Sequence, residues 1–335
     1  MDNGTSFFLD PLNNATEAEK CAALVKSTIK TTGWQFRHHI FVYAQLLYVI
    51  PTMVYIKFLI VALVCGKNRH KRYSNIFYKF ILMGAATAVL IHIPRSVFEI
   101  IGKRPNWFCP TFRSLSQPSF WLNIYVYLMQ IGDTLRIFAG TMIVIYRFHS
   151  LVDIFSAKRL WDQHSCAIIL GTMAIPAVLY APIWATPSYA MIDDEEMVFQ
   201  NKGLSWYNDE AVHCLVVVVC ALIVLGLQAI LCVLKTPTKS VGDGLEWPLY
   251  VVGMVETVVI PLYAIFESLL FARDYFDRTL PSWILYTSLI VSDALGFCPP
   301  WALFITSHEI REDATPFRRL FIRCCRRQSA NINPL

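Results

Sequence analysis

Ala211–Leu234 reads A-V-H-C-L-V-V-V-V-C-A-L-I-V-L-G-L-Q-A-I-L-C-V-L. No Asp, Glu, Lys or Arg interrupts it, and its apolar residues run together rather than at a helix or strand period. About 20 such residues wound as a helix cross a hydrocarbon core of about 30 Å. A helix suits that solvent because it satisfies its own backbone N–H and C=O groups. This block therefore predicts a membrane span, not a core element of a soluble domain.

Six further blocks of similar character lie on either side: Ile40–Cys65, Asn75–Ile100, Pro118–Phe148, His164–Ala185, Trp247–Phe271 and Pro281–Ser307. The sequence thus predicts an all-α membrane protein, a bundle of seven transmembrane helices. Residues 1–39 form an N-terminal tail, 40–307 the bundle, and 308–335 a C-terminal segment. Prolines 51, 94, 176, 182, 261, 299 and 300 fall within the blocks, where neighbouring helices and hydroxyls satisfy the carbonyls they free. The composition agrees. Of 335 residues, 56% are hydrophobic and only 16% charged, against about 25% charged in a soluble domain. The net charge of +5 comes mainly from loops and tail. It suits membrane lipid beside a cytoplasmic leaflet better than a nucleic-acid partner.

Met1–His39 holds no continuous apolar run, so the first span is expected to act as the targeting signal. Two glycosylation acceptors, Asn3-Gly4-Thr5 and Asn14-Ala15-Thr16, predict an extracellular N-terminus. Lys and Arg are then commoner on the inner segments than on the outer ones, while Asp193, Asp194, Glu195 and Glu196 make the second outer loop acidic. In that orientation Cys109, before the third span, and Cys214, at the mouth of the fifth, face an oxidising compartment. A Cys109–Cys214 bridge is one expectation, and pairing with Cys21 is the competing one.

Several seven-helix functions are disfavoured. A retinal protein needs a Schiff-base lysine in the seventh span, and Pro281–Ser307 has none. A carrier built from parallel repeats would show matching halves, and the first three and last three spans share no Pro or charge pattern. The eight histidines form no HxxxH set and the ten cysteines no CxxC, so no metal, cofactor or enzyme is expected. A G-protein-coupled type of receptor fits better. The third span ends Ile143-Val144-Ile145-Tyr146-Arg147-Phe148-His149, with Arg147 at the inner boundary where such receptors meet a G protein. Tyr146 stands in place of the usual acid, so Glu246 is the nearest candidate for a resting lock. The seventh span carries Ser292-Asp293-Ala294-Leu295-Gly296-Phe297-Cys298-Pro299-Pro300-Trp301, a buried acid followed by a proline bend. Asp293, Pro299 and Pro300 are expected to take part in switching.

Lys67–Lys79 (KNRHKRYSNIFYK), Tyr146–Trp161 (YRFHSLVDIFSAKRLW) and Ser292–Trp301 (SDALGFCPPW) resemble the nematode serpentine chemoreceptors. The nearest group is the Srg superfamily, with the Srg and Srv families both open. In that group an Arg ends the third helix and a Trp opens the fourth, matched by Arg147 and Trp161. A Ser-Asp pair and Pro-Trp in the seventh helix are matched by Ser292, Asp293, Pro300 and Trp301. Tyr146 departs from the usual Asn or Asp, and Val152 and Asp153 stand near where a proline is common. The resemblance implies a chemosensory receptor in the plasma membrane of a sensory-neuron cilium. It implies a small-molecule or pheromone-like ligand and a heterotrimeric G protein as partners.

Ionisable groups inside spans are costly and usually face the interior. His92, Arg95 and Glu99 share one face of the second span, Asp133 and Arg136 lie three apart in the third, and Glu256 and Glu267 lie in the sixth. One reading pairs them internally as Arg95–Glu99 and Asp133–Arg136. The other makes His92, Arg95, Asp133 and Glu267, with Trp121 and Tyr127, a polar-tipped ligand pocket in the outer half. After the seventh span, Phe317, Leu320, Phe321 and Cys324 recur at helical spacing among arginines, which predicts an interfacial helix. Cys324 and Cys325 are candidate palmitoylation sites on it. A ligand-gated seven-helix channel or a transporter stays open as the alternative function, and a dimer stays open beside a monomer.

Overall fold

The computed structural model describes residues 76–102, 120–185, 188–193, 196–201, 208–234, 246–276 and 282–307. The expected first span, the N-terminal tail with Asn3, Asn14 and Cys21, Cys109, and the tail with Cys324 and Cys325 lie outside the described residues.

The described chain is helical apart from one hairpin. In order it runs α1 (Ile76–Gly102), α2 (Phe120–Val152), α3 (Ile154–Gln163), α4 (Ser165–Leu179), a 3₁₀ turn (Ala181–Ala185), β1 (Ser188–Asp193), β2 (Glu196–Asn201), α5 (Asp209–Leu234), α6 (Glu246–Phe276) and α7 (Ser282–Thr306). α1 and α2 are the expected second and third spans, α4 with its 3₁₀ turn is the fourth, and α5 to α7 are the fifth to seventh. Four segments are long and apolar enough to cross a membrane: Phe120–Val152, Ser165–Ala185, Asp209–Val233 and Trp247–Ala272. α1 and α7 carry shorter apolar stretches at Ile76–Ile91 and Ile290–Thr306.

Three details depart from the sequence expectation. The fourth span is not one α-helix. Pro182 cannot donate a backbone hydrogen bond, and the chain tightens into the 3₁₀ turn, in which the Ile183 N–H reaches the Tyr180 carbonyl at 3.0 Å. The segment between the third and fourth spans forms a helix of its own, α3. The acidic loop is an antiparallel hairpin in register from Ser188↔Asn201 to Asp193↔Glu196, and it packs against α1 and α2.

Local chemistry accounts for the helix ends and interiors. The Asn208 side-chain oxygen accepts the N–H groups of Glu210 and Ala211 at 3.0 and 3.1 Å, an N-cap for α5. Asp209 and Glu210 in the first turn complement the helix dipole. α4, α6 and α7 run through Pro176, Pro261 and the Pro299-Pro300 pair. Hydroxyls buried in apolar surroundings return to their own helix: Thr172 to the Ile168 carbonyl, Thr257 to Gly253, Ser268 to Ala264 and Thr306 to Ala302, each at 2.7 Å.

α2 is the hub. It packs against α1, α3, α4, α5, α6, α7 and the hairpin, and 56% of its apolar stretch is buried, against 22–33% for the other three spanning segments. The core is mostly apolar, but so is the outer surface, and polar groups lie within. Leu90, Leu170, Val178, Leu215, Leu222, Val233, Val258 and Ile305 are exposed, while Thr134, Arg136, Arg147, His213, Glu256, Ser288 and Ser292 are buried. An apolar mantle around a polar interior is what a hydrocarbon solvent selects. The two ends of the bundle are named below by their landmarks, the hairpin end and the Arg147 end.

Close approach of helices depends on small residues. A Cβ on Gly296 of α7 would strike the Cβ of Ala88 on α1 and lie 3.3 Å from the Cδ of Arg136 on α2. Around Gly171 and Gly226 there is open space to 4 Å. Gly296→Val should therefore cost about 1–3 kcal/mol of packing and lower surface expression several-fold. Gly171→Val and Gly226→Val should leave expression near wild type, as flow cytometry of tagged receptor would check.

Candidate functional site

Toward the hairpin end, four elements converge on one histidine. His213 projects from the second turn of α5 and is buried. Its Nδ1 lies 3.2 Å from the Tyr180 hydroxyl at the end of α4 and 3.4 Å from Thr134 Oγ1 on α2. Thr134 and Tyr180 are themselves 2.9 Å apart. On the other side of the ring, Nε2 is 3.3 Å from the Tyr263 hydroxyl on α6, with the rings edge to face at 6.3 Å. This polar node ties α2, α4, α5 and α6 together, and because both ring nitrogens are engaged, its proton placement decides who donates.

Around the node lie further polar groups. Gln130 Nε2 is 3.5 Å from the Asp209 carboxylate, and Ser288 donates to Glu267 at 3.1 Å between α7 and α6. Tyr127 donates to the Ala177 carbonyl at 2.9 Å and stands edge to face with Trp184 at 5.0 Å. Cys214 is a free thiol inside α5, 3.9 Å from Ser268 Oγ on α6. The other half of the expected bridge, Cys109, lies outside the described residues. Trp121 is 76% exposed and packs on Phe120, on the mantle rather than among the converging polar groups. Of the expected pocket, Tyr127, Asp133 and Glu267 are interior, whereas His92 and Arg95 lie on α1 with side chains outside the described set.

At mid-bundle Arg136, 2% exposed, is ion-paired with Asp133 one turn before it. It also donates to α7, to the Ser292 carbonyl at 3.0 Å and to Ser292 Oγ at 2.9 Å. Asp133 is thus held as a counter-ion, as the pairing reading expected. Asp293, half-buried, follows the serine that holds Arg136. Pro299 and Pro300 are buried about two turns further along α7.

At the other end, Arg147 is 3% exposed, and its guanidinium carbon lies 4.5 Å from the centroid of the Tyr250 ring on α6. Gly253 makes the space, since a Cβ there would strike the Arg147 side chain. Nε and Nη1 have no hydrogen-bond partner among the described residues. Tyr250 stands one turn along α6 from Glu246, the residue the sequence offered as a lock. The side chain of Glu246 is outside the described set. Tyr250 stacks in turn on Trp247 at 5.9 Å. Beside Arg147, Tyr146 packs edge to face with Trp161 of α3 at 5.4 Å and stacks on Phe77 of α1 at 6.4 Å. Trp161 Nε1 donates to His149 Nδ1 at 3.1 Å. Trp161 fastens α3 back under α2 and α1.

These features sit at both ends of one hub helix in an inside-polar bundle. A family model described as Srg family chemoreceptor matches residues 42–314. The chain belongs to the Srg family of chemoreceptors. The match spans all the described helices, and with it the fold is that of a serpentine receptor, a seven-helix transmembrane bundle. Among curated proteins no match is found. As an Srg chemoreceptor, the chain is a chemosensory membrane receptor from a receptor family rather than an enzyme family.

The pairing at mid-bundle makes a quantitative prediction for this Srg receptor. Removing one member of a buried ion pair leaves the other uncompensated, at about 3–5 kcal/mol. Arg136→Ala should strip the receptor from the cell surface, and Arg136→Met with Asp133→Leu should restore a substantial fraction of it. Equal loss in single and double variants, read by surface labelling, would rule out the pair as the cause.

Proposed function

We propose that this Srg receptor binds a small molecule at the hairpin end and signals to a heterotrimeric G protein from the Arg147 end. The N-terminus is extracellular, residues 40–307 form the bundle, and the tail from 308 onward is cytoplasmic. In this reading the hairpin end is the outer mouth. The ligand meets His213, Tyr263, Tyr127 and Glu267, with Asp209 and Gln130 above them and the hairpin beside α1 and α2. Polar groups converging among aromatic walls favour a compact ligand with an apolar body and a few hydrogen-bonding groups. Asp133 orients Arg136 rather than meeting the ligand, and His92 and Arg95 contribute from α1.

The observation that carries the coupling half is the seat of Arg147. Among the described residues Arg147 is held by an aromatic face, a weaker hold than a carboxylate gives. A cation–π contact is worth about 0.5–2 kcal/mol. Such a latch between α2 and α6 opens at modest cost when α6 swings about Pro261. Arg147 then faces the G protein with its N–H groups free to donate. Asp293, Pro299 and Pro300 carry the movement into α7 beside Arg136. The receptor works in the plasma membrane of a sensory cilium, with Asn3 and Asn14 glycosylated and Cys324 and Cys325 acylated on an interfacial helix.

Two experiments test this reading. Tyr250→Leu should raise ligand-independent G-protein activation by roughly 3- to 30-fold, the range corresponding to the loss of such a contact, while Arg147→Ala abolishes activation at normal surface level. Unchanged activation in both variants would refute the latch. Glycosidase digestion of full-length receptor should shift its mobility, and Asn3→Gln with Asn14→Gln should remove that shift. An unglycosylated tail and ligand-gated current without a G protein would favour the channel alternative.

A further inference from the structure

Two glycines on the α2–α6 seam each admit a charged side chain of the opposite helix. Gly253 of α6 makes room for Arg147, and Gly140 of α2 makes room for Glu256. A Cβ on Gly140 would lie 2.6 Å from Oε2 and 2.8 Å from Cδ of that glutamate. Glu256 is 1% exposed, and its Oε2 has no hydrogen-bond partner among the described residues. The nearby cations are engaged elsewhere. Arg136 is held by Asp133 and Ser292, and Arg147 lies over Tyr250. The helices packed on α6 bring further titratable groups from the bundle interior, Asp133 on α2, His213 and Cys220 on α5, Asp293 and Cys298 on α7. Among the described residues none of these forms an ion pair with Glu256.

A carboxylate stripped of water with neither counter-ion nor donor is strongly disfavoured, and the neutral acid is the form such a site accepts. Arg147 is its mirror image on the same seam, a buried cation with two nitrogens, Nε and Nη1, that find no hydrogen-bond partner among the described residues. We propose that Glu256 is a proton-binding site: a neutral acid while α2 and α6 are closed, it releases its proton as they part and stays behind as a hydrated carboxylate. In that step the carboxyl O–H bond breaks, its electron pair stays on the carboxylate, and the proton passes to water entering from the Arg147 end. The step rests on the reading of that end as the face that opens. The sign follows from proton counting. The closed state holds one proton more than the open state, so acid favours closure and rising pH favours opening. Between the proton affinities of the two states, the open-to-closed ratio changes by up to about tenfold per pH unit.

The test uses full-length receptor in lipid nanodiscs. Infrared spectra near neutral pH should contain the carbonyl band of a protonated carboxylic acid, which Glu256→Gln removes and Glu210→Gln, at the exposed start of α5, retains. Spin labels on α2 and α6 at the Arg147 end should report a wild-type open fraction that rises with pH and a Glu256→Gln fraction that does not. A band untouched by Glu256→Gln, or wild-type opening independent of pH, overturns the proposal. If Glu256→Gln does not fold, the wild-type spectrum decides alone, because the absence of a protonated-acid band at neutral pH is equally fatal. Failure of the coupling reading is distinguishable: Arg147→Ala would then leave G-protein activation intact while the band still reports on Glu256.

Discussion

The architecture depends on how one helix keeps two arginines inside a hydrocarbon bundle. α2 carries both, and each must be compensated by groups from other turns or other helices. Arg136 is held by a carboxylate of its own helix and by two oxygens of Ser292 on α7. Arg147 is engaged through one aromatic face on α6, with part of its guanidinium unsatisfied. The first arrangement makes a fixed joint and the second a weak one. The proposed mechanism uses both, a hub that is rigid in the middle and releases at one end.

The same asymmetry organises the rest of the bundle. The node around His213 draws α2, α4, α5 and α6 together near the hairpin. The aromatic group of Phe77, Tyr146 and Trp161 holds α1, α2 and α3 together at the far end. α6 shares the first of these, and its Val252 and Leu249 also pack in the apolar cluster around the second. It is bound to α2 at the Arg147 end through Tyr250 and the two glycine notches. In the proposed mechanism α6 is the element that moves, and Pro261 near its middle supplies a natural point of bending.

Much of the bundle was legible in the sequence because a membrane span declares itself by length and continuous apolarity. The described spans begin and end close to where the apolar blocks do. The fourth departed because Pro182 acts through a backbone N–H it lacks, which hydropathy does not register. The hairpin at Ser188–Asn201 was passed over because its strands have six residues each, too short to stand out beside four consecutive acids. The Asp133–Arg136 pair was readable from spacing on one helix. Contacts between helices were not. Tyr250, His213, Tyr180 and Thr134 are ordinary residues of apolar helices until the bundle brings them together. One signal could have pointed to them: polar side chains in spans otherwise made of Val, Leu and Ile. Trp121 misled for the converse reason, since an aromatic residue near a span end reads equally well as pocket lining or as a membrane-facing ring.

The central claim is that ligand at the hairpin end releases α6 from α2 at the Arg147 end. Its most direct test is the distance between spin labels at Val152 on α2 and Trp247 on α6, measured in lipid nanodiscs with and without a ligand found by calcium imaging. The account predicts that ligand lengthens this distance and that Tyr250→Leu lengthens it without ligand. A distance unchanged by a ligand that does activate the receptor would contradict the account.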